Sequence, residues 1–443
     1  MSGLFTSLAV MLSPTGLAAA GNGAGAGGVA FMAALAVAAF ASFFTAAGME
    51  NLGSGKIRAT PVDGFVFGFL DSARLFTITL LAASWLGMAG NTVSEIFAPW
   101  MPAQAAGFIL LGLTVISCFI ADENGADVFT FCLTIGVCAF IYVMVMSVQP
   151  ADSGAGYPTT IPALFPTALP ENLSTSGMAG WLQIIFLAAF AFAGFEMPTA
   201  FENKAARVIP AVLLALIAFI LFCWSALLIV PAGELAESST PYLLVAGSGL
   251  GELGKYLTGG AVVLATVAAL LGFYMLAGKR LESILAEDYQ MHATKGAAVV
   301  LAVAVGLLFG TEFEAETTYE TMLAAGLCFW FGTYVLTDLL HMSGKMRTGR
   351  KISALITDIP GLLLHTGAAA FCIMSIELHA LFYYALGGLA VAGIIFGLGT
   401  GICYRPAPEI TDESEFDEYD QTLDSEETAP ESEDESLNIV DYR

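Results

Sequence analysis

Charged side chains are scarce in this chain, at 12% of its 443 residues, about half the share usual in soluble domains. At 57% hydrophobic, it cannot hide its apolar surface by folding alone, because surface-to-volume scaling leaves too much outside. Lipid has to cover part of it. Bases are scarcer still, with 15 Lys and Arg against 39 Asp and Glu. That balance excludes the basic stripe of a nucleic-acid binder. No CxxC pair occurs among Cys118, Cys132, Cys138, Cys223, Cys328, Cys372 and Cys403. All seven lie in or beside apolar segments, where small membrane-buried residues are expected ahead of disulfides or metal ligands.

Motifs of catalysis are missing too. HExxH, GxSxG and GxGD do not occur, so no enzyme, metal centre or cofactor is expected. His292, His341, His365 and His379 share no metal-ligand spacing. Of these, His365 falls deep within an apolar run; a packing histidine is the ordinary reading and a proton relay the sharper one. Gly249-Leu250-Gly251-Glu252-Leu253-Gly254-Lys255 fits GxGxxG and most of a Walker A pattern. Tyr256 follows the lysine where Ser or Thr should stand, and no strand precedes it, so a phosphate loop is not expected.

Long apolar runs are abundant. A spanning helix needs about 20 apolar residues, and twelve candidates follow: Leu4–Ala20, Val29–Ala47, Phe65–Met88, Gly107–Ile120, Val128–Val148, Trp181–Thr199, Val208–Val230, Leu257–Ala277, Gly296–Phe309, Met322–Leu340, Ile359–Met374 and Ala380–Ile402. Helices are required, because backbone in lipid must satisfy its own hydrogen bonds, and the runs lack the alternation of a barrel. The first run lacks a positive n-region, so it is expected to be a retained span rather than a signal peptide. The expectation is an all-α transmembrane domain over 1–405 in the plasma (inner) membrane.

The bases test that count. Cytoplasmic loops collect Lys and Arg. With both termini inside, the inner loops hold Lys56, Arg58, Lys204, Arg207, Lys279, Arg280, Lys295, Lys345, Arg347, Arg350, Lys351 and Arg405, while the outer loops hold Lys255 alone. An odd number of spans would scramble the bias. The outer loop Gln149–Met178 is rich in Pro, Ser, Thr and Gly, and its Asn172-Leu173-Ser174 is a sequon that matters only in a secretory-pathway host. From Pro406 onward 15 acids face one base, Arg443, so 406–443 carries −14 of the net −24. It is expected to be a disordered acidic cytoplasmic tail, repelled by the anionic inner leaflet. Ser414, Ser425 and Ser432 lie in acidic surroundings that could be phosphorylated.

Two runs break their own helices. The first is interrupted at Ser13-Pro14-Thr15-Gly16. The sixth reads Phe190-Ala191-Phe192-Ala193-Gly194-Phe195-Glu196-Met197-Pro198. Pro198 removes a helix bond to the Gly194 carbonyl, Gly194 tolerates unusual dihedrals, and the ionisable Glu196 sits at that weak point. Paired interruptions at corresponding places in two halves mark a solute site in transporters: half-helix N-termini face an anionic group and freed carbonyls hold a cation. Spans one and six stand five helices apart. The ordinary alternative is that Gly and Pro are frequent in membrane helices and that Phe192 and Phe195 only pack. The expected substrate-binding set is Ser13, Thr15, Gly16, Phe192, Ala193, Gly194, Phe195 and Glu196, with Phe192 or Phe195 as a lid. Asp71 and Arg74 share a face of span three and are expected to neutralise each other, with a gating role as the alternative.

Phe190–Glu196, then Glu202-Asn203-Lys204, then Arg207-Val208-Ile209-Pro210, resembles the sixth-helix signature of the amino acid–polyamine–organocation (APC) permeases. Pro231–Leu235, Lys279-Arg280-Leu281 and Met49-Glu50-Asn51-Leu52 resemble further family features, and the likeness is clearest over Trp181–Met291. It implies a LeuT-like 5+5 inverted repeat plus two C-terminal helices, amino acid or amine transport, and coupling to H+ or Na+. Thr266 in span eight would face a sodium-type site, although a lone Thr is more often a helix-packing residue. The chain departs from the family in lacking GSGIF in span one; Ser7-Leu8-Ala9 takes the place of the glycine pair if Pro14 matches the usual proline. The frequent lysine of span five is missing, with Gly136 near its place, so coupling through it is not expected. Without an extra charged subsite, neutral or apolar amino acids are favoured.

Two other readings compete. A major-facilitator transporter predicts a long central inner loop and a GxxxDRxGR-like loop after span two, where the chain has only Glu202–Arg207 and Gly53–Arg58. A non-transporting membrane sensor would signal through the tail.

Overall fold

A computed structural model describes residues 2–53, 61–120, 130–138, 140–141, 178–197, 208–282, 293–311, 316–347, 351–375, 383–391 and 393–394. All regular structure among these residues is helical. The chain begins with α1 (Ser2–Met11), α2 (Pro14–Gly27), α3 (Val29–Gly53), α4 (Pro61–Thr92, continued by a π turn at Val93–Phe97) and α5 (Ala103–Ile120). After residues 130–141 come α6 (Met178–Ala191), α7 (Val208–Ile229), the short α8 (Ala232–Glu237), α9 (Pro241–Glu282), α10 (Ala293–Thr311), α11 (Glu316–Arg347) and α12 (Lys351–Ser375).

Seven of these are long and apolar enough to cross a membrane: α3, α4, α5, α7, α9, α11 and α12. The pair α1 and α2 passes as an eighth span bent by 48°. Gly180–Ala191 and Ala298–Gly310 are apolar but shorter. About half of each of the fifth and twelfth expected spans lies outside the described residues, as do Pro198, Glu202, Lys204, Arg207 and the acidic tail.

The helix α7 shows how the chain partitions between protein and lipid. Val208, Ala211, Val212, Ala215, Ala218, Phe219, Phe222 and Cys223 recur at helical spacing and are buried. The opposite face carries Ile209, Leu213, Leu214 and Ile217, exposed by 43–55%. Both faces are apolar, so water is the wrong solvent for the outer one. The inner face is rich in alanine, which lets backbones approach closely where no hydrophobic force drives association. The same division puts exposed Val300, Leu307 and Leu363 on α10 and α12. This is the architecture of an integral membrane protein.

Among the described residues, three breaks depart from straight rods. Pro14 has no N–H to give the Val10 carbonyl, and it holds Ser13 in an extended conformation (φ −62°, ψ 168°). Thus α1 stops at Met11 and α2 starts afresh. In α6 the helix ends at Ala191 and turns through Phe192–Glu196, with Gly194 at φ +92°. In α9 the chain bends at Gly251, φ +63°. The GxGxxG-like motif is therefore a kink between two helical stretches, where Lys255 pairs with Glu252 at 3.0 Å.

Candidate functional site

The two breaks expected from the sequence meet in space. Ser7, on α1, donates its hydroxyl to the carbonyls of Gly194 (3.0 Å) and Phe195 (3.2 Å). These carbonyls belong to the unwound turn after α6, where helix bonds are interrupted and lone pairs are open to other donors. A Cβ at Gly194 would collide with the Val10 side chain, so contact between the breaks needs glycine for its space as well as its dihedral.

Between the breaks lies a small void. Ser13, Thr15 and Gly16 border it from the start of α2, and Ala193 and Gly194 border it from the α6 turn. About 10 Å³ is open to the centre of a water molecule, room for one water. The floor at α2 is polar. The first bond of its ladder runs from the Leu17 N–H to the Ser13 carbonyl, so the Thr15 and Gly16 amides precede that ladder and the positive end of the helix dipole faces the void. Ser13 Oγ is buried and has no hydrogen-bond partner among the described residues. A Cβ at Gly16 would strike the Met11 carbonyl, the last of α1.

The remaining walls are aromatic. Trp85 of α4 donates Nε1–H to Thr15 Oγ1 at 2.6 Å. Its ring stacks on Phe273 of α9, with centroids 4.9 Å apart, and Phe273 in turn meets Trp330 of α11 at 5.6 Å. Trp85, Phe273 and Trp330 all line the void, with Phe190 and Leu81.

Phe192, Phe195 and Glu196 belong to the same turn but point away from the void. Phe192 packs edge-on against Phe219 of α7 at 5.7 Å. Phe195 lies against Tyr334 at 5.0 Å and stacks on His365 at 6.3 Å. Glu196, 3% exposed, accepts a hydrogen bond from the Tyr334 hydroxyl. That hydroxyl accepts from the Gly194 amide (3.2 Å) and from Trp330 Nε1 (2.6 Å). Tyr334 therefore ties the turn's backbone, its carboxyl group and a wall of the void to α11. Arg74 and His365 lie within electrostatic reach of the same carboxyl. The Arg74 Nε also donates to Thr333 Oγ1 at 3.5 Å; the Asp71 side chain lies outside the described residues.

Thr266 is fully buried and donates to the Val262 carbonyl of its own helix at 2.9 Å. Cys118, Cys223, Cys328 and Cys372 are buried free thiols. Among the described residues no group of three or more His, Cys, Asp or Glu could hold a metal ion.

Sequence reading missed Ser7, Trp85, Trp330 and Tyr334 as parts of this site. Ser7, Trp85 and Tyr334 each act on a residue 70 or more positions away, Trp330 meets Phe273 from another helix, and all four are of types common in apolar helices. The one available hint was Ser7, standing where the APC-like pattern has glycine.

No family model matches the chain, and no curated protein matches it.

Proposed function

We propose that this chain is a secondary transporter of amino acids or related amines that works by alternating access. It resides in the plasma (inner) membrane with both termini in the cytoplasm, twelve spans, and a LeuT-like pair of five-helix inverted repeats followed by two further helices. The observation that carries the reading is the meeting of two interrupted helices at one buried void. Main chain in mid-membrane is tolerated where it lines a cavity, and such places are where transporters hold their cargo. The APC-like stretch Phe190–Pro210 supports the same assignment.

The void has two chemically distinct sides. The start of α2 offers two ladder-free amides, a dipole end and the Ser13 hydroxyl, which together suit a carboxylate. The α6 turn offers carbonyl oxygens, which suit an ammonium group. Trp85, Phe273, Phe190 and Leu81 suit a neutral, apolar side chain. In this conformation the space is closed to about one water. Transport requires it to expand, and the Trp85–Thr15 and Trp330–Tyr334 hydrogen bonds hold the walls that would move. The bilayer and the amino acid are the partners, with H+ or Na+ as the coupling ion.

The test is purified protein in proteoliposomes, assayed for uptake and exchange across a panel of amino acids and polyamines with imposed Na+ and pH gradients. Uptake of neutral amino acids is expected. If nothing in the panel is taken up or exchanged under any gradient, the proposal is wrong.

A further inference from the structure

Behind the site, the seam between α11 and α12 carries ionisable groups that the void does not use. Two buried His–Asp pairs cross it in opposite senses. His365 Nδ1 of α12 lies 2.9 Å from Asp338 Oδ2 of α11, and His341 Nδ1 of α11 lies 3.2 Å from Asp358 Oδ1 of α12. All four residues are 1–3% exposed. Ionisable side chains are expensive within a membrane and persist where they pair or carry an ion. Two adjacent crossed pairs are more than packing a seam requires, since apolar residues would serve as well.

Their arrangement is directional. Tyr334, Asp338, His341 and Lys345 follow at steps of four, three and four along α11, so they form one stripe. At 1.5 Å per residue the stripe is about 16 Å long, half the hydrocarbon thickness of a bilayer. One end is Tyr334, bonded to Glu196 at the α6 turn. The other is Lys345, in the last turn of α11, which binds Asp358 Oδ1 at 3.0 Å and Thr357 Oγ1 at 2.7 Å. Lys345 is 16% exposed, the first of the stripe to reach the surface. His365 and Tyr334 touch, with ring centroids 4.8 Å apart.

Between the two pairs, α3 supplies the Thr45 hydroxyl. A Cβ at Gly361 would meet both Thr45 Oγ1 and Asp338 Oδ2, so these oxygens face the same small space. Thr45 Oγ1 and Asp358 Oδ2 are buried without a hydrogen-bond partner among the described residues. An unpaired buried acceptor or hydroxyl needs a reason, and here both lie where protons would be handed on. From the neighbouring elements, Arg74 of α4 and Glu196 of the α6 turn bring charge toward the stripe; among the described side chains of α3 no charged group does.

We propose that Asp338–His365 and His341–Asp358 form a two-station proton site linking Glu196 to the Lys345 end of α11. A proton from water at that end binds the His341–Asp358 station, passes to Asp338–His365, and reaches the carboxyl group behind the substrate turn. When the site opens to the opposite side, the Glu196 carboxyl gives the proton up there, so one proton crosses the membrane with each substrate and the stations return to their starting state. Histidine suits such a station because its two ring nitrogens let it take a proton on one side and release one from the other. This inference rests on the transporter reading and names its coupling ion and route.

The test uses full-length protein in proteoliposomes with a pH-sensitive dye inside. Wild type should acidify or alkalinise the lumen in step with amino acid movement. D338N and H341Q should lose pH-driven accumulation by roughly a hundredfold, the scale of a positioned proton transfer, while substrate exchange at equal pH persists. Wild-type net uptake without any proton movement overturns the proton site and leaves the transporter reading standing, and needs no variant to fold. Variants that keep full pH-driven accumulation also overturn it. Absence of all exchange in wild type overturns the transporter reading itself, and the proton site with it.

Discussion

Ser7 and Gly194 are 187 positions apart and are joined by a 3.0 Å hydrogen bond from the Ser7 hydroxyl to the Gly194 carbonyl. The bond fastens α1, within its helical stretch, to the turn where α6 has lost its own ladder. A helix that gives up bonds in lipid must recover them from neighbours, so the α6 turn depends on α1. Replacing Ser7 with alanine removes a donor shared by two buried carbonyls, of which Gly194 keeps the Met197 amide at 3.4 Å, at a cost of about 1–3 kcal/mol. The expected outcome is faster amide exchange across residues 192–197 and slower transport, with membrane insertion unchanged. Hydrogen exchange in detergent or nanodiscs, alongside uptake, measures both.

Gly194 meets two constraints that can be separated. Its φ of +92° is unfavourable to any side chain, at roughly 1–3 kcal/mol for a strained residue, and its missing Cβ leaves room for Val10. Gly194→Val should abolish transport while the protein still inserts. Gly194→Ala should be impaired, and adding Val10→Ala should recover part of the loss by removing the collision but not the backbone strain. Uptake by the single and double variants decides this; full transport by Gly194→Val would move the site elsewhere.

Both breaks were legible because proline and glycine act locally: Pro14 breaks a helix with no help from the fold, and Gly194 followed by Pro198 marks a weak turn. The spans were legible because burial in lipid demands continuous apolar runs, and seven helices of the required length stand where such runs were read. What fills the site was not legible. Glu196 was singled out as a costly charge, but its partner Tyr334 is 138 positions away, and nothing near either residue encodes the pairing. His365 was read first as packing because one histidine in a span carries no information about the Asp338 opposite. Phe192 and Phe195 could be placed on the turn, but the direction each ring takes depends on α7, α11 and α12. The void's aromatic walls come instead from Trp85, Phe273 and Trp330, residues that look like ordinary apolar filling.

Tyr334 makes three hydrogen bonds through one oxygen. Tyr334→Phe keeps the ring contacts with Phe195 and His365 and removes all three. It takes a partner from the Gly194 amide and from Trp330 Nε1, each worth about 1–3 kcal/mol when buried, and one hydrogen bond from the Glu196 carboxyl. A marked fall in thermal stability is expected, larger than for Tyr383→Phe at an exposed position. Thermal melts of the two variants in detergent supply the comparison.

Trp85 and Thr15 hold the α4 wall against the start of α2 at 2.6 Å. If this bond latches the closed state, Trp85→Phe and Thr15→Val should each change apparent substrate affinity, and the double variant should be no worse than the more affected single. That non-additivity, on the order of 1 kcal/mol for a single shared hydrogen bond, is read from a double-mutant cycle on KM. Strictly additive effects would show that the two side chains act independently.

The acidic segment from Pro406 onward separates a carrier from a sensor. It holds 15 acids and one base, a composition too polar to bury a core or to enter lipid. A carrier's machinery lies in the helices, so deleting Pro406–Arg443 should leave KM and maximal uptake within about twofold, well under the tenfold that roughly 1.4 kcal/mol at the site would produce. A sensor that signals through this segment would lose its output while still binding the same ligand. Measuring ligand binding and uptake on the truncated protein tests the two against each other: binding retained with uptake intact supports the carrier. A full-length protein that binds amino acids but never moves them, whatever its tail, would leave the meeting of the two broken helices as a receptor pocket.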